Sequence, residues 1–292
     1  MVETGSSIPR RQLGRYLRQA RDEAGVTMEA AAQELEWSRA KMYRIEGGQA
    51  PVRKHDVLAM CSVYGAPPEL TEALVALSLE SKSRGWWHAY GDAVPAWFEL
   101  YVGLESAASR LRQYESGLVP GLLQTREYAA AVQRTRAGAT EEGVAQAVEV
   151  RMERQKLLAR RRPAAPRLEV IVDEAVLRRT IPDAEGMRLQ LAHLANSIRE
   201  PDVIVRVLPL SAGPHRASLA GSFVILDFAA VGARAAEPTT VYSESMTGAL
   251  YLDKPGEVAT YADAWEALCA LALSVRESES LIATVIKESY DA

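Results

Sequence analysis

Arg39 and Arg44 stand five residues apart in the run Ser38-Arg39-Ala40-Lys41-Met42-Tyr43-Arg44-Ile45-Glu46. On a helix this spacing sends Arg39, Ala40, Tyr43 and Arg44 away from the side that carries Met42 and Ile45. A guanidinium is a planar fork of donors that fits the two acceptors on the major-groove edge of guanine, a match worth about 1–3 kcal/mol of discrimination per pair. The methyl of Ala40 suits the methyl of thymine. The expected chemistry is therefore base reading in a duplex. Lys41, Arg53 and the hydroxyls of Thr27 and Ser38 suit phosphate oxygens instead, which fix a protein on a duplex without reporting its sequence.

Nothing comparable points to catalysis. The chain has no Gly-x-Gly-x-x-Gly, no phosphate-cradling Gly-Lys-Ser/Thr loop, no His-Glu-x-x-His and no Gly-x-Ser-x-Gly. No catalytic residue, cofactor or metal ligand is assigned, and an enzyme is not expected. Of the histidines, His193 lies beside leucines in a helical pattern and reads as structural. His215, in Ala212-Gly213-Pro214-His215-Arg216, is a candidate contact for a ligand or partner. Asp173 and Glu174 follow a strand pattern and read as a helix cap rather than an acid–base pair. Cys61 and Cys269 match no metal or redox spacing and read as buried, reduced thiols.

The segments that must position the arginines are short and well punctuated. Residues 9–24 form a helical pattern with Pro9 at its start, the stripe Leu13, Tyr16, Leu17 and Ala20, and Gly25 at its end. Thr27 caps a second helix, 27–35, and Ser38 a third, 38–46, closed by Gly47-Gly48. Ala32 is small enough for the second and third helices to cross, while Ala31, Leu35, Met42 and Ile45 have the spacing to hold them together. Three short helices with a tight link between the last two meet the requirement of a helix-turn-helix. Arg10, Arg11, Arg15, Arg18 and Arg21 read as ordinary exposed charge on the first helix.

A fourth helix runs from Arg53 to Gly65 and a fifth spans 69–82. Beyond Gly85 the texture changes, with Trp86, Trp87, Tyr90, Trp97 and Tyr101 packing the start of a second domain. Helices are predicted over 97–115, 124–136, 142–162 and 184–198. Strands are predicted over 168–172, 203–208, 223–228, 240–244 and 249–252. The end is helical again, broken into 256–273 and 275–289 by the capping box Ser274-Val275-Arg276-Glu277. The fold class is α+β: an all-α N-terminal helix-turn-helix domain, 1–67, a connecting helix or linker, 68–84, and a mixed α+β domain, 85–292, with a small, largely antiparallel sheet.

The 292 residues carry a net charge of −4, which hides an asymmetry: residues 1–67 carry +2 and the remainder −6. Phosphate binding needs a local positive face rather than a basic protein. No apolar run approaches the roughly 18 residues that span a bilayer. The start, MVETGSSIPRR, lacks the apolar core of a signal peptide, so a cytoplasmic location is expected.

Residues 13–51 resemble the Cro/repressor class of helix-turn-helix. The resemblance implies that Arg39, Ala40 and Arg44 occupy the base-reading positions. Two residues depart from that pattern: Glu36 stands at a turn position usually held by glycine, and Met28 where a glutamine often touches phosphate. The stretch Tyr114-Glu115-Ser116-Gly117-Leu118-Val119-Pro120-Gly121-Leu122-Leu123-Gln124-Thr125 resembles the effector domain of WhiJ-like actinobacterial regulators, as do Arg151-Met152-Glu153-Arg154-Gln155 and Val207-Leu208-Pro209. What this implies is transcriptional control with an antitoxin-like effector domain that binds a small gene-neighbour protein. The alternative is an effector domain that senses a small molecule, which an aromatic lining around Trp86, Trp87 and Trp97 would favour. A homodimer on double-stranded DNA with an inverted-repeat operator is expected, because one small reading head gives too little specificity.

Overall fold

The computed structural model describes residues 8–48, 50, 52–78, 96–162, 164–230, 237–246 and 248–290. The chain divides into two compact units, the first ending at Leu104 and the second beginning at Glu105. Trp86, Trp87 and Tyr90 lie outside the described residues.

The first unit is helical: α1 (Ile8–Glu23), α2 (Met28–Glu34), α3 (Arg39–Glu46), α4 (Lys54–Tyr64) and α5 (Pro68–Ser78). The expected stripe is its core, with Leu13, Leu17 and Ala20 of α1 buried against Ala31, Ala32, Met42 and Ile45. Leu74 of α5 is buried in the same cluster and Leu70 and Val75 pack against it. Glycines end three helical segments in the left-handed region: Gly25 (φ 68°), Gly48 (φ 64°) and Gly65 (φ 62°).

α6 (Ala96–Ala107) precedes the sheet of the second unit. Its strands are β1 (Arg110–Glu115), β2 (Arg167–Asp173), β3 (Val203–Leu208), β4 (Phe223–Asp227), β5 (Thr240–Ser245) and β6 (Gly248–Leu252). Between them run α7 (Arg126–Arg134), α8 (Glu141–Gln155), α9 (Glu174–Arg178) and α10 (Ala184–Ser197), and α11 (Pro255–Leu271) and α12 (Val275–Tyr290) close the chain. The order is β3-β2-β1-β4-β5-β6. The pairings β1–β4, β4–β5 and β5–β6 are antiparallel, and β1–β2 and β2–β3 are parallel. Trp265 and Leu268 of α11 bury against Tyr114, Ile171, Phe223, Ile225 and Val241 on one face of the sheet, and α12 packs on α10 and β3.

The α+β class is as expected, with one correction. The helix predicted over 97–115 ends at Ala107, and Arg110–Glu115 is a strand. The apolar positions Leu111 and Tyr114 are three apart and mimic a helical face. In the strand they point to opposite faces and both are buried, and pairing with β2 and β4 overrides the local pattern. The helix predicted to 162 likewise tightens into a 3-10 turn at Lys156–Ala159.

Candidate nucleic-acid interface

α3 is built as its sequence requires. Ser38 adopts an extended backbone and its Oγ accepts from the Lys41 N–H at 3.1 Å. Thr27 does the same for α2, accepting from the Ala30 N–H at 3.1 Å. In each hydroxyl the acceptor is used by the cap while the O–H proton stays available as a donor. Between the helices Glu36 takes φ 53°, and it is the one non-glycine with positive φ among the described residues. The left-handed turn predicted at this position is present, with a side chain that raises its energy by about 1 kcal/mol.

Met42, Ile45 and Glu46 of α3 are buried, while Arg39, Ala40 and Arg44 are exposed and Tyr43 is partly buried. The three expected base-reading candidates, Arg39, Ala40 and Arg44, thus share the outward side, with Tyr43 partly buried beside them. The Arg39 guanidinium meets Glu29 of α2 at 3.0 Å, with side-chain exposures of 74% and 59%. An ion pair so exposed contributes about 0–1 kcal/mol and exchanges readily for another partner. Arg44 forms no ion pair with a described residue.

Lys41 is placed differently. Its ammonium sits 3.3 Å from the centroid of the Trp37 ring and 3.2 Å from Asp56 Oδ1. Asp56 also accepts from the Arg53 N–H at 3.3 Å, so one carboxylate caps α4 and holds Lys41. The Arg53 side chain is exposed at the start of α4.

The backing of α3 contains residues that local reasoning misassigns. Arg21, expected as exposed charge, is buried, and its Nε and Nη2 donate to Glu46 Oε1 at 2.7 Å and Oε2 at 3.0 Å. Its Nη1 donates to the Val26 carbonyl at 2.9 Å. The bond to Glu46 outweighs desolvation and pushes the Arg21 pKa up. Arg11 is buried as well. A Cβ on Gly14 would lie 2.6 Å from the Ile45 carbonyl oxygen and 2.8 Å from that of Glu46. α1 therefore touches the end of α3 backbone to backbone. Gly48 shares the contact, since a Cβ there would meet Arg11 Cα at 2.4 Å. Arg21 and Glu46 are 25 residues apart, and only the spacing of Glu46 on the buried side of α3 signals the pair.

In the second unit, the stretch from Tyr114 to Thr125 is knitted into its surroundings by buried polar groups. Gln124 Nε2 donates to the Val119 carbonyl at 2.7 Å, and Gln190 accepts from the Thr125 N–H and donates to the Leu123 carbonyl, both at 2.7 Å. Gln155 Nε2 donates to the carbonyls of Gly121 and Gln124 at 3.0 and 2.7 Å. Arg154 forms a buried two-pronged pair with Glu105 at 2.8 and 2.9 Å. Asp173 caps α9 through the Ala175 N–H at 2.9 Å, as its position predicts. Glu174 is buried and accepts from the Leu210 N–H at 3.0 Å and from Arg178 at 2.7 Å. His215 Nε2 lies 3.3 Å from the Tyr114 hydroxyl. His193, read from the sequence as structural, lies on the exposed side of α10. Cys61 is buried and Cys269 partly so, both as free thiols.

Two domain families match this sequence. A helix-turn-helix domain covers residues 12–74, and a domain of unknown function, DUF5753, covers residues 98–284. No curated protein and no solved structure matches the chain. The first match supports a DNA-binding regulator. No helix among the described residues is long and apolar enough to cross a membrane on its own.

Proposed function

This chain belongs to the DUF5753 family and carries a helix-turn-helix domain ahead of that region, and we propose that it regulates transcription by reading DNA sequence with α3. One observation carries the reading. Arg39, Ala40, Tyr43 and Arg44 lie together on the outward side of a capped helix whose other side is locked to α1 by the Gly14 contact and the Arg21–Glu46 pair. A helix held this rigidly can enter a major groove with its side chains already aimed.

Arg44 is the principal reader in this proposal, and Arg39 reads after exchanging Glu29 for a base edge. Ala40 meets a thymine methyl, and Tyr43 packs beside the base edges. Thr27 and Ser38 donate their O–H protons to phosphates, and Arg53 reaches a phosphate from the start of α4. Lys41 joins them by leaving Asp56, so its contribution is smaller than that of Arg53. The protein acts as a cytoplasmic homodimer on inverted half-sites about one helical turn apart. Selection from a random duplex library by the purified chain tests this. A palindromic consensus containing guanines supports it, and enrichment of no sequence rejects it.

We further propose that the second unit is an effector domain of the WhiJ-like, antitoxin-like type that binds a small gene-neighbour protein. The likeness of Tyr114–Thr125 and Arg151–Gln155 to that class supports the reading. Co-purification of the two proteins from a two-gene expression tests it. A second reading, small-molecule sensing, is favoured by the charged groups at the end of β1.

A further inference from the structure

β1 is where the strand order reverses, with β2 and β3 to one side and β4 to the other. In open α/β sheets ligands bind in the crevice beyond the carboxyl end of such a strand. β1 to β3 form a parallel set of that kind, although β4 is antiparallel to β1. Tyr114 pairs with Phe223, and Val224 with Tyr242. Extending both registers outward lines up Glu115, Ser222 and Glu244 in one row across β1, the start of β4, and β5. With neighbouring strands about 4.8 Å apart, the two glutamates sit about 10 Å apart at the backbone with Ser222 between them. Arg151 of α8 lies within electrostatic reach of both carboxylates, yet among the described residues it forms an ion pair with neither.

Each of these three charges is held by a buried neutral side chain. Gln113 Nε2 donates to Glu115 Oε1 at 2.7 Å, the Tyr242 hydroxyl donates to Glu244 Oε2 at 2.9 Å, and Arg151 Nη1 donates to Gln124 Oε1 at 2.9 Å. Gln113, Gln124 and Tyr242 are all buried. The guanidinium also occupies space that only a glycine leaves, because a Cβ on Gly121 would come within 2.8 Å of Arg151 Nη1. Neutral partners orient a charge without neutralising it, which is costly for the partly buried Glu115 and Arg151, whereas Glu244 is exposed. Such preorganisation is what a binding site requires. The titration of the groups agrees: burial pushes Glu115 up to about 7, with Glu244 adding to the effect, and burial pushes Arg151 down to about 10. Besides Glu244 and Arg151, the phenols of Tyr114 and Tyr128 lie close enough to Glu115 to feel its charge.

We propose that this row binds a small zwitterion of the amino-acid class, its ammonium lying over Ser222 between Glu115 and Glu244 and its carboxylate on the Arg151 guanidinium. An anion alone would face two carboxylates. A metal ion alone would lack ligands, because no group of three His, Cys, Asp or Glu side chains among the described residues can hold one. Only a ligand with both charges satisfies all three groups, and a planar carboxylate fits the guanidinium fork. The proposal rests on the small-molecule reading of the second unit.

The test is a titration of the full chain with the twenty free L-amino acids, each beside its N-acetyl and amide derivatives. Thermal shift and calorimetry are read at pH 7 in two buffers of different ionisation enthalpy. At least one zwitterion should raise the melting temperature, and the derivatives lacking either charge should bind at least about tenfold more weakly, as loss of about 1.4 kcal/mol requires. Binding should release a proton from Glu115, and Glu115→Gln should abolish that release. Glu115→Gln and Glu244→Gln should each weaken binding about tenfold or more while the melting transition stays cooperative. Absence of stabilisation by any member at about 10 mM, or binding indifferent to both substitutions, overturns the proposal. Capture of the gene-neighbour protein and duplex selection, measured on the same preparations, report separately on the other readings.

Discussion

Among the residues of α3, Arg44 is the most exacting test. Its guanidinium is exposed and has no carboxylate partner among the described residues, whereas Arg39 meets Glu29 and Lys41 meets Asp56 and Trp37. Arg44→Ala should relax preference at one symmetric operator position by about 1–3 kcal/mol. Uniform weakening on every sequence would make Arg44 a phosphate contact instead. The salt dependence of binding should flatten by about one unit in Arg53→Ala, and by less in Lys41→Ala, since Lys41 must first leave Asp56. Glu36 tests the turn itself. At φ 53° its side chain is strained, so Glu36→Gly should stabilise the protein by up to about 1 kcal/mol in chemical denaturation. A loss of stability would mean that the Glu36 side chain makes a contact that outweighs its backbone.

At the scale of the elements, the proposed reading depends on the seating of α3 on α1. Gly14→Ala drives a methyl into the carbonyls of Ile45 and Glu46 and should destabilise the fold by about 1–3 kcal/mol, with affinity for the operator falling alongside. Arg21→Met removes the two-pronged bond to buried Glu46 and should cost about 3–5 kcal/mol, whereas adding Glu46→Leu should recover most of the loss. Additive destabilisation in the double variant would contradict the pairing. The helices, their caps and the outward side of α3 were legible in the sequence because they depend on neighbours a few residues away. Thr27, Ser38 and the Ser274–Glu277 box signal their ends locally, and in the box the Ser274 N–H donates to Glu277 Oε2 at 2.9 Å. The Arg21–Glu46 pair and the seat at Gly14 were not legible, because each joins segments that chain distance separates. β1 was misread for the same reason. Its six residues become a strand only by pairing with β2 and β4, which follow it by more than fifty residues. The row at Glu115 exists only through that pairing.

For the whole molecule, charge and pH dependence separate the two units. The folded state raises the Glu115 pKa to about 7 from an ordinary value near 4.5. The protonated form is therefore favoured in the fold, and its stabilising contribution is fully present below about pH 4.5 and lost as pH rises through about 7. Thermal stability of the chain should decline between pH 5 and 8, and Glu115→Gln should flatten that decline. Glu169 and Glu174 act in the opposite sense. Burial raises both, but the Arg110 bond and charge outweigh it at Glu169, and the Leu210 N–H and Arg178 outweigh it at Glu174. Both are therefore held low, and their contribution is lost on acidification. The first 67 residues carry +2 and the rest −6, an asymmetry that fits the proposed DNA contact at the helical end. The most direct measurement is competition binding of the purified chain to a randomised duplex library at moderate ionic strength, beside the Arg44→Ala variant. An enriched inverted repeat is expected, whose half-sites each lose preference at one guanine in the variant. Identical enrichment by both proteins, or retention no stronger than that of random competitor DNA, would contradict sequence reading by α3.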